Sequence, residues 1–441
     1  MSFYSFKRAD DPAKNFATEG VEKATFSRQA NGMETLRLVF RDAATDGTRF
    51  LDGDQVIFYR DGSIFFTGRA EQAGEQSDAA ADTREYLFHG PWVEFENRSF
   101  FGFWKNSDDT LVAAPRGFTQ IDGAKVTLGE WIRSLTDAVE NRALRQGVRA
   151  FQTLDFAGQF DVPVSVPIEA LGTMTFAEAV LRACKWIPDV CVWFRHYENF
   201  PPQIRCDRAH RRTEYTARFG HDYGDAGQWQ SWSVEKASGW DIRGVVIVWN
   251  GTVETEADGD RSFYTPEAWP SSVQYGDFKT LVFDAAVEPG ETSAPTPGLA
   301  EITYQSLRQF AWRGSVTWQG ECLLDLDPGT RLNIRGGRSE WETMLAFVDR
   351  VEHDLMEGTT EVSFGPPQAL GLDDFRELLR WWRSRTLVPE DALETQTEGN
   401  VETFGFGDRA SQPIGFSRKV VYFNENGALV AYTVLAKPGG A

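Results

Sequence analysis

The stretch Gly53–Pro91, GDQVIFYRDGSIFFTGRAEQAGEQSDAAADTREYLFHGP, has a counterpart 276 residues further on: Gly329–Pro367, GTRLNIRGGRSEWETMLAFVDRVEHDLMEGTTEVSFGPP. Aligned without a gap, the two agree at Gly53/Gly329, Ser63/Ser339, Thr67/Thr343, Ala70/Ala346, Thr83/Thr359, Glu85/Glu361, Phe88/Phe364 and Pro91/Pro367. Val56/Leu332, Phe58/Ile334 and Tyr86/Val362 match in type. Unrelated segments of ordinary composition agree at about two or three such positions. The agreement also preserves a physical plan. A Gly turn opens a strand, alternation puts Val56 and Phe58 on one face, and another strand ends at Phe88 before a Pro. Two copies of one β module in a single chain present two equivalent surfaces, a device for assembly.

Outward from the first copy, residues 1 to about 100 read as strands. Thr35–Phe40 alternates Leu36, Leu38 and Phe40 against Thr35, Arg37 and Val39. Asp54–Tyr59 and Ser63–Arg69 flank the turn Arg60-Asp61-Gly62, and Arg84–His89 adds a strand. The pattern predicts a small antiparallel barrel or sandwich closed by Gly90-Pro91.

Between the copies the period changes. Thr127 caps a predicted helix through Leu128, Trp131, Ile132, Leu135 and Val139. Thr173–Lys185 repeats the logic, with Thr175 and Glu178 as the cap pair and Val180, Leu181 and Cys184 inward. Val190–His196 and Gln203–Asp207 read as strands, and Trp240–Asn250 as a strand whose apolar Val245–Trp249 is buried on both faces. Residues 286–299 read as an exposed loop, and Glu301–Phe310 as a short helix. The second copy brings strands at Gly314–Trp318, Arg331–Arg335, Met344–His353 and Thr360–Phe364. Asp373–Arg385 has a helix's charge order, Glu390–Asn400 reads as a linker, and Val420–Phe423 with Ala428–Leu435 as a hairpin. The expected fold is β-rich α+β. It divides into a first β module (1–100), a central mixed region (101–240), a second β module with a closing helix (241–385), and a linker with a hairpin extension (386–441).

Hydrophobic residues make up 41% of the 441 and charged residues 25%, the balance of a folded chain. The formal net charge of −20 argues against a surface that grips nucleic acid through its phosphates. Met1–Phe16 lacks the apolar core of a secretory signal, and Val245–Trp249 is far too short to span a bilayer. Four Cys are too sparse for a disulfide scaffold, so folding in a reducing cytoplasm is expected.

Cys184, Cys191, His196, Cys206 and His210 offer zinc-type ligands, yet no Cys-x₂₋₄-Cys pair clamps a metal. Cys184 lies on an apolar helix face and Cys191 between Val190 and Val192, which favours core packing. No Gly-x-Ser-x-Gly elbow or phosphate-cradling Gly loop is present, and His89 and His353 read as structural. The acidic pairs Asp10-Asp11, Asp108-Asp109, Asp258–Asp260 and Asp373-Asp374 fall in turns and at helix starts. No catalytic, cofactor-binding or metal-ligating residue is therefore assigned, and no cofactor is expected. Trp381 and Trp382 point about 100° apart on a helix. Either one meets a neighbouring subunit, or the helix is wedged between two elements.

The run Val351–Arg385, VEHDLMEGTTEVSFGPPQALGLDDFRELLRWWRSR, resembles the C-terminal signature of hub proteins in phage tail tips and baseplates. Trp186–Arg212 and the Gly53-Asp54-Gln55-Val56 to Gly68 hairpin are similar to other parts of that family, so the likeness spans about residues 35–385. The family includes late-control proteins of contractile phages and the N-terminal part of type VI secretion spikes. The resemblance implies two related β-barrel domains and a homotrimeric ring of pseudo-sixfold symmetry. Such a ring joins a sixfold tail tube to a threefold spike or fibre and lines a channel through which DNA slides unbound. It implies a virion protein, not an enzyme, whose partners are tail tube, distal tail or baseplate and tip proteins, without stable membrane insertion. Residues after about 395 have no match in the family's shared part, and no spike or lysozyme-like insert is present. Alternatives are a tail-associated cell-wall hydrolase and a receptor- or carbohydrate-binding tail protein. Neither has any need of the duplication.

Overall fold

A computed structural model describes residues 2–8, 11–41, 47–77, 82–98, 102–105, 111–114, 127–145, 162, 175–184, 187–196, 202–212, 214–219, 228–237, 240–253, 261–273, 280–286, 298–320, 322–367, 418–423 and 429–435. The fold is β-rich, with one large, mainly antiparallel sheet and few helices. The helix expected at Asp373–Arg385, its Trp381-Trp382 pair and the linker Glu390–Asn400 lie outside the described residues.

The first module comprises β1 (Tyr4–Arg8), β2 (Lys14–Asn15), β3 (Val21–Gln29), β4 (Thr35–Arg41), β5 (Gln55–Arg60), β6 (Ser63–Ser77) and β7 (Asp82–His89). They pair antiparallel in the order β3-β4-β7-β6-β5-β1-β2. Alternation works as expected in β4, where Leu36, Leu38 and Phe40 are buried and Arg37 faces out. The β5–β6 turn has Asp61 at φ 50° and Gly62 at φ 86°, the two positive values that a two-residue hairpin demands. Inside lies a core of phenylalanines meeting mostly edge to face. Phe58 stands at its centre, with ring centroids 4.8 Å from Phe88, 5.9 Å from Phe66 and 6.3 Å from Phe6.

The central region holds α1 (Trp92–Glu96), β8 (Gly102–Lys105), β9 (Leu111–Ala114), α2 (Leu128–Arg145), α3 (Phe176–Cys184), β10 (Val190–Arg195) and β11 (Gln203–Arg208). Both expected capping boxes form. Glu130 N–H donates to Thr127 Oγ1 at 3.3 Å while Glu130 Oε2 accepts from Thr127 N–H at 2.9 Å. Thr175 and Glu178 do the same at 3.2 and 2.7 Å. These hydrogen bonds from Thr127 hold the Glu130 carboxyl below its ordinary pKa.

There follow β12 (Glu214–Arg218), β13 (Gln228–Lys236), β14 (Gly244–Val253), β15 (Arg261–Trp269), β16 (Thr280–Ala286) and α4 (Leu299–Arg308). β14 runs between β15 and β16, which explains its continuous apolar stretch: Val245, Val246 and Ile247 are all buried. Last come β17 (Trp312–Gln319), β18 (Arg331–Arg335), β19 (Ala346–Asp354), β20 (Thr359–Phe364) and the antiparallel pair β21 (Arg418–Phe423) and β22 (Leu429–Leu435).

The repeat is structural and larger than the sequence indicates. Strands of the second copy pair in the order β13-β17-β20-β19-β18-β12, which mirrors β3-β4-β7-β6-β5-β1. Gly53 N–H donates to Ala70 O and Ala70 N–H to Asp54 O; Gly329 N–H donates to Val348 O and Val348 N–H to Thr330 O. Both glycines have positive φ, 88° and 73°. Even the bulges recur: β3 slips against β4 between Val21 and Lys23, and β13 against β17 between Trp229 and Ser231.

Three corrections to the sequence reading follow. The ungapped alignment holds for the outer strands, where Thr83/Thr359, Glu85/Glu361 and Phe88/Phe364 occupy equal rungs. It fails in the middle strand. Val56 pairs with Gly68 but Leu332 pairs with Ala346, because the second hairpin is two residues longer and contains a 3₁₀ turn at Ser339–Trp341. Ala70 therefore corresponds to Val348, and the identities Ser63/Ser339, Thr67/Thr343 and Ala70/Ala346 are coincidental. Secondly, β12 pairs with β18 and β13 with β17, pairings the sequence did not indicate, although both strands precede residue 241. Thirdly, the modules differ at one end: β1 runs antiparallel to β5, whereas β12 runs parallel to β18.

Candidate functional site

The sequence cluster Cys184, Cys191, His196, Cys206 and His210 separates into two groups. Cys184, Cys191 and Cys206 do converge, but inside an apolar core with Ile187, Val190 and Ile204. Burial pushes the Cys191 thiol up to about 12 and raises Cys184 and Cys206 as well, so thiolate ligands are disfavoured there. His196 turns away from them. Its Nδ1 accepts from Thr67 N–H at 3.1 Å, so Nε2 carries the proton that goes to Glu34 Oε2 at 2.6 Å. It acts as a rivet between β10 and the first module. The side chain of His210 and the segment Asp258–Asp260 lie outside the described residues. Among the described residues no group of three or more His, Cys, Asp or Glu is placed to hold a metal. A cleft lined by Phe6, Arg8, Lys14, Glu19 and Arg49 has a volume of about 50 Å³, small beside the roughly 300–1,000 Å³ of ligand pockets.

The densest polar chemistry lies instead where the modules meet. β3 of the first pairs antiparallel with β19 of the second, Phe26 opposite His353 and Thr25 opposite Asp354, so the two sheets become one. Arg28, on β3, is buried. Its guanidinium donates to Asp327 Oδ1 at 2.8 Å and to the carbonyls of Leu324 and Leu326. Asp327 also accepts from Arg212 at 3.4 Å, and Arg212 lies 4.0 Å over the Trp193 ring. One carboxylate thus ties β3, the loop before β18 and the central region together. Cys322 and Leu324, from that loop, and Leu355, just past β19, complete the first module's core.

His353 is fully buried at this seam, its ring stacked on Phe26 at 5.9 Å and its Nδ1 2.9 Å from Thr360 Oγ1. Burial, reinforced by the Arg28 and Arg60 charges, keeps it neutral by lowering its pKa well below the ordinary value. The turn after β3 reaches the central region. Asn31, at φ 53°, donates to Val190 O at 2.8 Å and accepts from Val192 N–H at 2.6 Å.

A buried network fixes the rest. Asp189 accepts from Arg208 Nε at 3.1 Å, Ser306 Oγ at 2.5 Å and Gln309 Nε2 at 3.0 Å, joining the β10–β11 hairpin to α4. The sequence offered no sign of these long-range contacts.

Among the described residues, two of the open strand edges flank the modules at positions equivalent to the seam. Among the described residues β13 pairs with β17 alone, and most of its side chains are exposed, Trp232 at 44%. On the β5 side of β6, the ladder ends at Arg69, beyond which the strand continues to Ser77 paired, among the described residues, with β7 only. Next to that edge Leu51 is 64% exposed. An unpaired strand edge is a ready template for pairing with another chain.

No family model matches the chain, and no curated protein does. Solved structures do. The chain is similar to a tail protein from Neisseria meningitidis, with 11% identity over 82% of this chain and 96% of that one, at a TM-score of 0.47. It is similar to the 43 kDa tail protein of a prophage from Shewanella oneidensis, with 10% identity over 83% and 98%, at 0.48. It is also similar to a prophage tail protein from Listeria monocytogenes, with 8% identity over 86% and 99%, at 0.48. All three are described as tail proteins.

Proposed function

We propose that this chain is a structural hub of a phage or phage-like tail tip or baseplate, and that it works without catalysis. Three copies form a ring of six alternating modules, each a β-barrel. The ring meets a sixfold tail tube on one face and a threefold tip, spike or fibre on the other, and DNA passes through its acidic bore. The observation that carries this reading is the seam: two modules of the same strand order sit side by side in one chain, joined through β3 and β19. Modules that join edge to edge once can do so again around an axis. The division at 1–100, 101–240, 241–385 and 386–441 belongs to the same reading, with β12 and β13 assigned to the second module. The chain would be made in the host cytoplasm and act in the virion.

The test is the mass and symmetry of the assembled protein. A trimer whose averaged image shows six similar lobes supports the hub. A monomer absent from purified particles overturns it.

A further inference from the structure

The seam inside the chain has a mirror position that no strand among the described residues fills. Phe26 pairs with Leu36, and Leu36 with Phe88; Val234 pairs with Gly314, and Gly314 with Phe364. Val234 is therefore the second module's Phe26. Likewise His353 pairs with Thr360 and Glu75 with Arg84, on rungs adjacent to the equivalent Glu361 and Glu85. Glu75 is the first module's His353. Inside the chain Phe26 lies opposite His353. Their counterparts, Val234 on β13 and Glu75 on β6, both lie on edges left unpaired among the described residues.

We infer that a second copy of this chain docks by strand addition, its β6 backbone at residues 71–76 pairing antiparallel with β13 of the first. The register is that of the internal seam: Ser233 opposite Gln76, Val234 opposite Glu75 and Glu235 opposite Gly74. Two further observations fit. Leu355 N–H donates to Ala24 O at the seam, and Ala24, fully buried, is matched on β13 by Trp232, 44% exposed in the single chain. Asp327, two residues before Gly329, is largely covered, its side chain 17% exposed where it pairs with Arg28; Leu51, two residues before Gly53, stands 64% exposed. Both bare side chains sit where the internal seam has covered ones. A second copy covers them, and one such contact per chain closes a ring.

This inference rests on the ring reading, and the test separates the two. The four native cysteines are buried, so paired substitutions can be read against a quiet background. Ser233→Cys with Gln76→Cys, and Val234→Cys with Glu75→Cys, are made in the full chain. Adjacent rungs alternate in hydrogen bonding, so at least one pair has Cα atoms close enough for a disulfide. Ser233→Cys with Gln72→Cys is three rungs out of register and serves as the control. Mass photometry gives the oligomer, and non-reducing gels after mild oxidation give the cross-links. Trimers, with covalent dimers and trimers at least tenfold more abundant in a registered pair than in the control, support the inference. Trimers in which no registered pair exceeds the control overturn it and leave the ring standing. A chain monomeric throughout overturns both.

Discussion

The two modules share strand order, the Gly53/Gly329 turn and the bulge of β3 and β13, yet they solve their cores and surroundings differently. The first packs Phe6, Phe16, Phe26, Phe40, Phe58, Phe66 and Phe88 against one another. The second fills the same space with Val316, Leu332, Ile334, Val348, Val351 and Val362, plus Trp318 and Trp341. At Gly53 an added Cβ meets nothing within 4 Å; at Gly329 it would lie 2.5 Å from Cys191 Cβ. The backbone plan is thus what the copies preserve, while side chains diverge to suit neighbours. The second module is gripped by the central region, and the corresponding surface of the first is bare.

The largest expected effect separates Asp327 from Leu51. Asp327→Ala strands the buried Arg28 charge and should cost about 3–5 kcal/mol, read from the denaturant midpoint. Leu51→Ala should change the isolated chain by under about 0.5 kcal/mol while weakening assembly measured by mass photometry. Equal losses of stability would erase the distinction between seam and open edge.

Core truncations come next. Phe58→Ala should cost about 3–5 kcal/mol, and Ile334→Ala, on the matching rung, about 2–5 kcal/mol. Thermal unfolding followed by near-ultraviolet dichroism would show whether both copies melt together, as one shared sheet requires. The glycines sharpen the contrast. Gly53→Ala should lose about 1–2 kcal/mol from its positive φ alone. Gly329→Ala adds a clash worth about 1–3 kcal/mol more, partly relieved by Cys191→Gly, which removes the Cβ it meets.

Acid should loosen the seam through His353. Its folded pKa lies well below about 6.5, the ordinary value of an unfolded chain. Above that pH both states are neutral and the site adds no pH dependence. Below it only the unfolded chain takes up the proton, so stability falls by up to about 1.4 kcal/mol per pH unit until the folded pKa is reached. Denaturant midpoints between pH 7.5 and 5 for wild type and His353→Gln should differ in slope below pH 6.5; identical slopes would remove His353 from the account.

Strands with one apolar face and a Gly turn were legible: β4, β5 and β7, the Asp61-Gly62 turn and both Thr–Glu caps could be read directly from residue order. β3 escaped notice because its bulge at Glu22 breaks the alternation in VEKATFSRQ. β13 escaped because QWQSWSVEK, exposed over most of its length, has no buried stripe to announce it. The two-residue lengthening before β19 was hidden by three chance identities. None of the assembly-relevant contacts was visible, since Arg28 and Asp327 lie 299 residues apart and share no local pattern.

That long reach has a consequence for how the protein is made. Ser27 accepts a hydrogen bond from Arg350, 323 residues later, so β3 emerges from the ribosome long before the strand that will cover it. Throughout that interval translation leaves Thr25–Gln29 as a sticky border on a module whose core still lacks Cys322, Leu324 and Leu355. Truncated products ending before β19 should cling to one another through it, and a chaperone that shields the nascent chain would have its main task there.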